Sequence, residues 1–465
     1  MVFSSYTFLM CFFPAVCFCY FVVPQRFRSL RNIILLVFSL FFYFWGESKG
    51  VLLMLAVIAV SYCSAWIIGS AKNKGMRRLG LWLELLTCLG VLIYFKYADW
   101  LLEMGNSLLN LELPALQVVM PIGISFFTFQ SMSYVFDVYQ GKVKPQKNIL
   151  YVALYVSLFP QLVAGPIVRY ETIAEEIVSR RENLNDIYAG LQRLIMGLGK
   201  KLLLANVFGR EAETIFAMES AVRTTPTAWI GAIAYSLQIY FDFSAYSDMA
   251  IGMGKMFGFH FLENFNYPYI SKSITEFWRR WHISLSTWFR DYVYIPLGGN
   301  RRGLPRQIIN LFVVWALTGL WHGASWNFVF WGLYYFVLLI LEKLFLGKLL
   351  KKLPSVVGRL YALTAIVLGW TIFNCTESGQ LVAYFGDLFA FRGGFSHAVL
   401  TLRQNIPEFV FGLALCTPLP LRLFRAKADR VWAELLRCAW LLLVLVLSAL
   451  ALTGSSFNAF IYFRF

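Results

Sequence analysis

Apolar residues fill runs from about 6 to 23, 33 to 46, 51 to 69, 80 to 98 and 116 to 138, a pattern of membrane-spanning helices rather than of half-buried surface elements. The second run would measure roughly 21 Å as a helix and needs tilted partners or a thinned bilayer. The connections alternate in charge. Segment 24–32 carries Arg26, Arg28 and Arg31, and 70–79 carries Lys72, Lys74, Arg77 and Arg78. Segment 99–115 has Asp99, Glu103 and Glu112 with no basic residue, and 140–148 has Lys142, Lys144 and Lys147. By the positive-inside rule the first, third and fifth loops are cytoplasmic and the N-terminus is extracytoplasmic. The first run has no basic segment before it and no small-residue cleavage site, so it reads as a retained anchor.

Past residue 149, Pro160, Gly165 and Pro166 interrupt an apolar run that leads into an amphipathic stretch ending near Lys201. A broken or re-entrant segment is expected there. Such interruptions persist at membrane depth only when buried in protein or lining a cavity, which hints at a substrate pathway. The run from 308 to 342 would extend roughly 52 Å as one helix, against a hydrocarbon core of about 30 Å, so two helices with a break near Gly319–Ser325 are expected. From 355 to 453 come three or four further spans, separated by the basic stretch Arg422–Arg430. No repeat and no low-complexity tract is evident. The fold class is an all-α polytopic membrane protein, a bundle of about ten to twelve transmembrane, re-entrant and interfacial helices. It reads as one membrane domain over 1–465, with N-terminal spans in 1–148, a motif-rich core in 149–345 and C-terminal spans in 346–465.

Composition removes the alternatives: 59% of the residues are apolar and 14% charged, where a soluble domain has about 45–50% and about 25%. The net charge of +16 would suggest nucleic acid in a soluble protein, but topology accounts for the Lys and Arg, and no nucleic-acid partner is expected. The eight cysteines sit in or beside apolar runs without metal-ligand spacing, so they read as small buried hydrophobes and no metal site is expected.

Four histidines are present. His322 lies between Gly319 and Gly323 at the centre of the long apolar run, where an ionisable residue is expensive and points to function; burial would keep it neutral and able to accept a proton. The alternative is a structural histidine bonded across helices to Thr318 or Ser325. His282 falls in Glu276–Trp288, where helical spacing puts Trp278, Trp281, Leu285 and Trp288 on one stripe and Arg279, His282 and Ser286 on another. Glu276 would pair with Arg280, and the segment reads either as part of a site or as an interfacial helix meeting lipid phosphates. His260 and His397 read as solvated loop residues. Asp242 and Asp248 stand among aromatics with Ser244, Tyr246 and Ser247. They form either a proton relay or cation site, or polar packing in which those hydroxyls satisfy both carboxylates. No Walker loop, dinucleotide fingerprint, G-x-S-x-G elbow or zincin motif occurs.

Several motifs together resemble one family: Pro121-Ile122-Gly123-Ile124-Ser125-Phe126-Phe127-Thr128-Phe129-Gln130, Pro160-Gln161-Leu162-Val163-Ala164-Gly165-Pro166-Ile167, the Asp242–Asp248 stretch, Glu263-Asn264-Phe265 leading to Arg279-Arg280-Trp281-His282, and Trp321-His322-Gly323. The order and types of these residues over about 1–340 resemble the membrane-bound O-acyltransferase superfamily, and within it the bacterial members that acetylate alginate and peptidoglycan. After about 346 the likeness is in hydropathy alone. The resemblance implies a helical bundle around a tunnel with His322 at its waist and the breaks at 160–166 and 319–325 along it. It implies acyl transfer from a cytoplasmic thioester, acetyl-CoA being the expected donor, to a hydroxyl of an extracytoplasmic polysaccharide acceptor.

In this reading His322 is the catalytic base and His282 the second catalytic position, and no cofactor is bound. Trp321, Ser325, Asn327 and His282 are the candidate oxyanion donors, and Arg279, Arg280, Arg290, Arg301 and Arg302 could meet the donor's phosphates, although topology explains Arg301 and Arg302 equally well. Asp242, Ser244, Tyr246, Asp248, Asn264, Trp281 and Ser286 are expected along the substrate path. The resemblance also implies the bacterial inner membrane, surrounding lipids and a separate extracytoplasmic acetyltransferase as partner. The competing classes are a transporter or flippase of a lipid-linked saccharide, which would use the same acids and broken helices for gating, and a scaffold for polysaccharide secretion.

Overall fold

The computed structural model describes residues 1–163, 165–420, 422, 431–454 and 461. Ala164 of the Pro160 motif and all of the basic stretch after Arg422 up to Arg430 lie outside the described residues. Among the described residues every regular element is helical, and seven helices are long and apolar enough to cross a bilayer. The chain gathers into two compact units, Met1–Leu194 with Ser247–Leu262, and Ile195–Tyr246 with Glu263–Phe465.

The first unit contains α1 (Phe13–Val22), α2 (Arg28–Gly46), α3 (Gly50–Ser70), α4 (Lys74–Leu92), α5 (Ala98–Leu109), α6 (Ile124–Gln140), α7 (Ile149–Ser157), α8 (Phe159–Leu162), α9 (Tyr170–Val178) and most of α10 (Leu184–Gly199). Helix α3 packs against α4 and α6, and α2 against α7. Asn73 starts α4 by accepting the Met76 N–H at 2.8 Å. The chain then stays helical through a wide turn at Ile93–Tyr97 into α5, so Asp99 and Glu103 are helical rather than in the expected loop. The span expected from 116 begins only at Ile124, because Pro121 and left-handed Gly123 (φ 75°) delay it. Asp99 instead holds the preceding irregular strand by accepting the Leu116 and Val118 N–H groups at 2.7 and 2.9 Å.

The expected interruption at Pro160 is present: α7 stops at Ser157, α8 is a single turn, and regular structure resumes at Tyr170. Its backbone is buried and satisfied from the side, the Phe159 N–H donating to Ser39 Oγ at 3.1 Å and the Tyr155 hydroxyl to the Val168 carbonyl at 2.9 Å. Arg28 and Arg31, expected in a loop, belong to the first turns of α2. They converge with the Tyr20 hydroxyl on buried Glu182, Arg31 at 2.9 Å. Their positive charge is therefore spent inside the unit.

The second unit continues with α11 (Asn206–Phe216) and α12 (Thr225–Met256), whose last turns belong to the first unit, then α13 (Ile274–Trp278), α14 (Ile283–Phe289), α15 (Gly303–His322), α16 (Trp326–Leu341), α17 (Gly347–Lys352), α18 (Ser355–Asn374), α19 (Ser378–Phe389), α20 (Ser396–Gln404), α21 (Ile406–Leu415) and α22 (Val431–Gly454). Among the described residues after 355, two helices reach spanning length, α18 and α22, and α21 is a short apolar helix. Of the cysteines, Cys88, Cys375 and Cys416 are buried, whereas Cys11, Cys63 and Cys438 are exposed on apolar helix faces, where a small thiol suits lipid as well as protein.

The break between α15 and α16 falls at Gly323–Ser325, inside the expected interval. The two helices form a hairpin that closes at Gly319 and Gly332. A Cβ on Gly332 would sit 2.5 Å from the Trp315 carbonyl oxygen, and one on Gly319 would strike the Phe328 carbonyl oxygen. The expected single helix over Glu276–Trp288 is instead two. Asn266 N–H donates to Arg280 O and Ile283 N–H to Asn264 O, each at 2.9 Å, so the 264–266 loop takes the backbone groups that would have continued the helix. His282 sits at the joint with φ 43°. Helix α13 is capped by Ser273, whose hydroxyl accepts the Glu276 N–H at 3.1 Å. Buried Glu342 on the next turn after α16 accepts the Ile274 and Thr275 N–H groups at 2.6 and 2.9 Å.

Gly332→Ala is expected to destabilise the protein by about 1–3 kcal/mol, since backbone cannot yield as a side-chain tip can. Thermal unfolding in detergent measures this, and an unchanged midpoint would mean that the helices can part there without strain.

Candidate active site

Helical spacing on α15 places Leu311, Trp315, Thr318 and His322 on one face. These four, with Trp278 and Arg279 from the end of α13, Trp281 and His282 from the joint, and Leu285, Ser286 and Phe289 from α14, line a cavity of about 250 Å³. A second, wider cavity of about 1040 Å³ adjoins it, sharing Thr275, Arg279, Tyr294, Leu311 and Leu339. Its wall adds Lys272, Lys343, Lys348 and Lys351, with Glu276 and Glu342 as the acids. A basic vestibule thus leads into a narrow, aromatic inner chamber.

His322 is buried at the last turn of α15. Its Nδ1 lies 2.7 Å from the Thr318 carbonyl oxygen, which can only accept, so Nδ1 carries the proton and Nε2 the lone pair. This contact is with a carbonyl of its own helix. Trp331, Trp321 and Phe373 surround the imidazole with ring centroids 4.8, 4.9 and 5.4 Å away, an aromatic wall. His282 is also buried, its Nδ1 3.1 Å from Asn264 Oδ1. Burial, and after it the neighbouring His322, hold the His282 imidazole well below the ordinary histidine value, so it is neutral at pH 7.

Of the residues singled out from sequence, His322, His282, Arg279, Trp281 and Ser286 line the inner cavity. Trp321 stands behind it, 6.0 Å from the His282 ring. Asn264 supports His282. Arg280 points elsewhere, paired with Glu276 at 2.9 Å as expected and donating to the Asn266 carbonyl at 3.0 Å. Asn327 donates to the Phe373 carbonyl at 3.0 Å, and half-buried Ser325 precedes α16 outside the lining. Arg290 reaches the inner cavity but pairs with Asp291 at 2.6 Å, and Arg301 and Arg302 line neither cavity.

The two acids of α12 are each paired with a cation. Asp242, 1% exposed, meets Lys201 at 2.7 Å and accepts the Ile461 N–H at 2.8 Å, whereas Asp248 pairs with Arg193 at 2.8 Å. The six-residue spacing turns them to different sides of the helix, where each meets a separate cation. Ser244 and Tyr246 are buried on α12 away from the cavity lining. His260 is half-exposed and paired with Glu176 at 2.7 Å, and His397 is exposed in the first turn of α20. Among the described residues no group of His, Cys, Asp and Glu could hold a metal. Sequence reasoning missed Trp315 and Tyr294. Trp315 was findable, since it lies seven residues before His322 on one helix face, but Tyr294 follows a break that no periodicity announces.

A buried histidine in an aromatic chamber beside a basic vestibule fits the chemistry of the family the comparisons give. Residues 145–351 match MBOAT, the membrane-bound O-acyltransferase family, and the chain belongs to it. A probable alginate O-acetylase AlgI from Pseudomonas putida is 38% identical over the full length of both chains. Another from Pseudomonas syringae is 42% identical over 84% of this chain and 76% of its own, and a peptidoglycan O-acetyltransferase from Helicobacter pylori is 32% identical over 80% and 77%. The protein is a multi-pass membrane enzyme, an O-acyltransferase, and the transporter and scaffold alternatives fall away.

If Lys201 and Asp242 are a structural ion pair, Lys201→Met alone should destabilise by about 3–5 kcal/mol, because it strands a buried carboxylate. The double variant Lys201→Met with Asp242→Asn should recover most of that in thermal unfolding. A double variant as unstable as the single one would refute the pairing.

Proposed function

We propose that the enzyme takes an acetyl group from acetyl-CoA at the cytoplasmic side and delivers it for O-acetylation of an extracytoplasmic polysaccharide, with His322 as general base. The observation that carries the reading is the His322 imidazole held with its proton on Nδ1 at the inner end of a basic, two-part cavity. The lysines of the vestibule suit the phosphates of a coenzyme A thioester, and the narrow chamber suits its uncharged arm and a small acyl group. The hydroxyl acceptor gives its proton to His322 Nε2 as its oxygen attacks the thioester carbonyl. The oxyanion collapses, the C–S bond breaks, and the thiolate recovers the proton from the imidazolium. No net proton is consumed.

Of the oxyanion donors expected from sequence, the Asn327 amide donates to the Phe373 carbonyl, and His282 turns Nδ1 to the Asn264 amide oxygen, which can only accept, so its proton is on Nδ1 and not on Nε2. Trp278 supplies a better candidate, since it lines the chamber and its indole N–H is buried without a partner among the described residues. The curated relatives are named for alginate and peptidoglycan acetylation, which supports a glycan acceptor of that kind, reached through a separate extracytoplasmic acetyltransferase. The basic segments 70–79 and 140–148 support an extracytoplasmic N-terminus, and the bacterial relatives support the inner membrane of a bacterium.

Thiol release from acetyl-CoA by the purified protein in nanodiscs, with its partner present, tests this. His322→Ala should lower kcat by about 10²–10⁴-fold with the fold intact, and unchanged turnover removes His322 from the mechanism. Lys348→Ala with Lys351→Ala should raise KM for acetyl-CoA several-fold at unchanged kcat, an effect that shrinks in high salt. A KM indifferent to both changes would put the donor elsewhere.

A further inference from the structure

His282 combines features that a merely space-filling histidine has no need of. Its backbone is left-handed at φ 43°, a conformation that a residue with a Cβ keeps only where its surroundings impose it, typically at a functional site. Its ring is locked from one side. Asn264 Oδ1 accepts the backbone N–H of Ser284 at 3.2 Å, and a backbone N–H can only donate, so that atom is the amide oxygen. The same oxygen accepts the Ser284 hydroxyl at 2.9 Å and faces His282 Nδ1 at 3.1 Å. An oxygen already receiving two protons has none to give, so Nδ1 is the protonated nitrogen and the lone pair lies on Nε2. Phe243 closes over the imidazole with ring centroids 4.6 Å apart. Nε2 itself is buried and has no hydrogen-bond partner among the described residues. A buried acceptor left unpaired is unfavourable, and His282 lines the inner chamber. A donor that arrives with substrate would fill that acceptor.

We propose that His282 Nε2 accepts a hydrogen bond from an amide N–H on the arm of the acyl thioester, with Asn264 and Ser284 as the positioning residues that hold the imidazole in the required tautomer. This rests on the acyltransferase reading above and names the group of the donor that the site recognises. The acceptor hydroxyl is the weaker match, because its one proton is taken by His322. A pantetheine-type arm carries amide N–H groups that have no other assigned partner, and it would enter from the vestibule, whose wall shares Thr275 and Arg279 with the chamber. His282 is then a binding residue that reads the donor, and a second base is not needed. The charged and titratable groups facing the chamber are His322, Arg279, Tyr294 and Arg290 with its partner Asp291, and Glu342 in the adjoining wall. Burial, and after it the neighbouring His322, oppose a positive charge on the His282 ring and so keep Nε2 an acceptor.

The test uses two small donors, the S-acetyl thioester of N-acetylcysteamine and its counterpart with the amide N–H replaced by an ester oxygen. Wild type should prefer the amide donor by about tenfold or more in kcat/KM. In His282→Ala the ratio should fall to about one. Asn264→Asp keeps the acceptor for Nδ1–H but adds a carboxylate that raises the imidazole pKa. Nε2 is then protonated at low pH and the amide preference is lost, to return as the pH rises, while wild type shows no such dependence across neutral pH. An equal amide preference in wild type and His282→Ala, or a pH-independent one in Asn264→Asp, overturns the proposal, as does a His282 variant that changes discrimination among acceptors alone.

Binding of free coenzyme A to the same proteins, followed by calorimetry in nanodiscs, reads the contact without turnover. Affinity should fall about tenfold in His282→Ala and, at low pH, in Asn264→Asp, and unchanged affinity in both also overturns it. A wild type that binds coenzyme A in this pattern but releases no thiol sinks the acyl-transfer reading and leaves the contact standing.

Discussion

The hydrogen bond from His322 Nδ1 to the Thr318 carbonyl is the interaction on which the rest of the site depends. A helix carbonyl has a second lone pair beyond the one its ladder uses, and a histidine in the last turn can reach back to it. That reach fixes which nitrogen bears the proton without enlisting a carboxylate, a useful economy where a charged partner would be expensive to bury. It also requires the helix to end there. Gly323 and Ser325 supply the ending, and the close approach at Gly319 and Gly332 supplies the rigidity, because neither helix can slide without driving one backbone into the other.

A second constraint places the opposite wall. Helix α13 has only five residues, too few to be stable by itself, yet it carries Trp278 and leads directly to Arg279. Its start is gripped by Ser273 and by both oxygens of Glu342, which has exchanged water for backbone N–H groups at a helix N-terminus, where negative charge is favoured. An acid can therefore stand in the wall of a basic vestibule without repelling an anionic ligand as a free carboxylate would. Beyond α13, the loop at 264–266 takes over the backbone bonds, and the chain turns through His282 into α14.

Much of this was legible in the residues. The hairpin break, the interruption at Pro160, the pairing of Glu276 with Arg280 and the depth of His322 all follow from local rules: helix length against bilayer thickness, proline and glycine in apolar runs, and i,i+4 spacing. What escaped was decided by distant partners. The periodicity over Glu276–Trp288 is sound for a helix, and nothing within that stretch reveals that the loop at 264–266 competes for its carbonyls and amides. Asp242 and Asp248 look like a pair on paper because they are close in sequence, but their counter-ions, Lys201 and Arg193, lie outside the motif. Arg28 and Arg31 read as topology markers, while their burial against Glu182 depends on a residue far along the chain.

The buried pair of Lys201 and Asp242 bears on how the protein is made. Helix α12, for all its length, falls short of the apolarity that would let it partition into lipid unaided. A single Asp or Lys at the middle of a lone helix costs about 2.5–3.5 kcal/mol to insert, and each of these two, entering alone, would incur it. Lys201 precedes Asp242 in the chain, so during synthesis the cation is already at hand when the acid emerges. Both costs vanish only once the pair has formed, so the burial of α12 and that of the segment bearing Lys201 are coupled, and the order of residues in the chain decides which partner is present first.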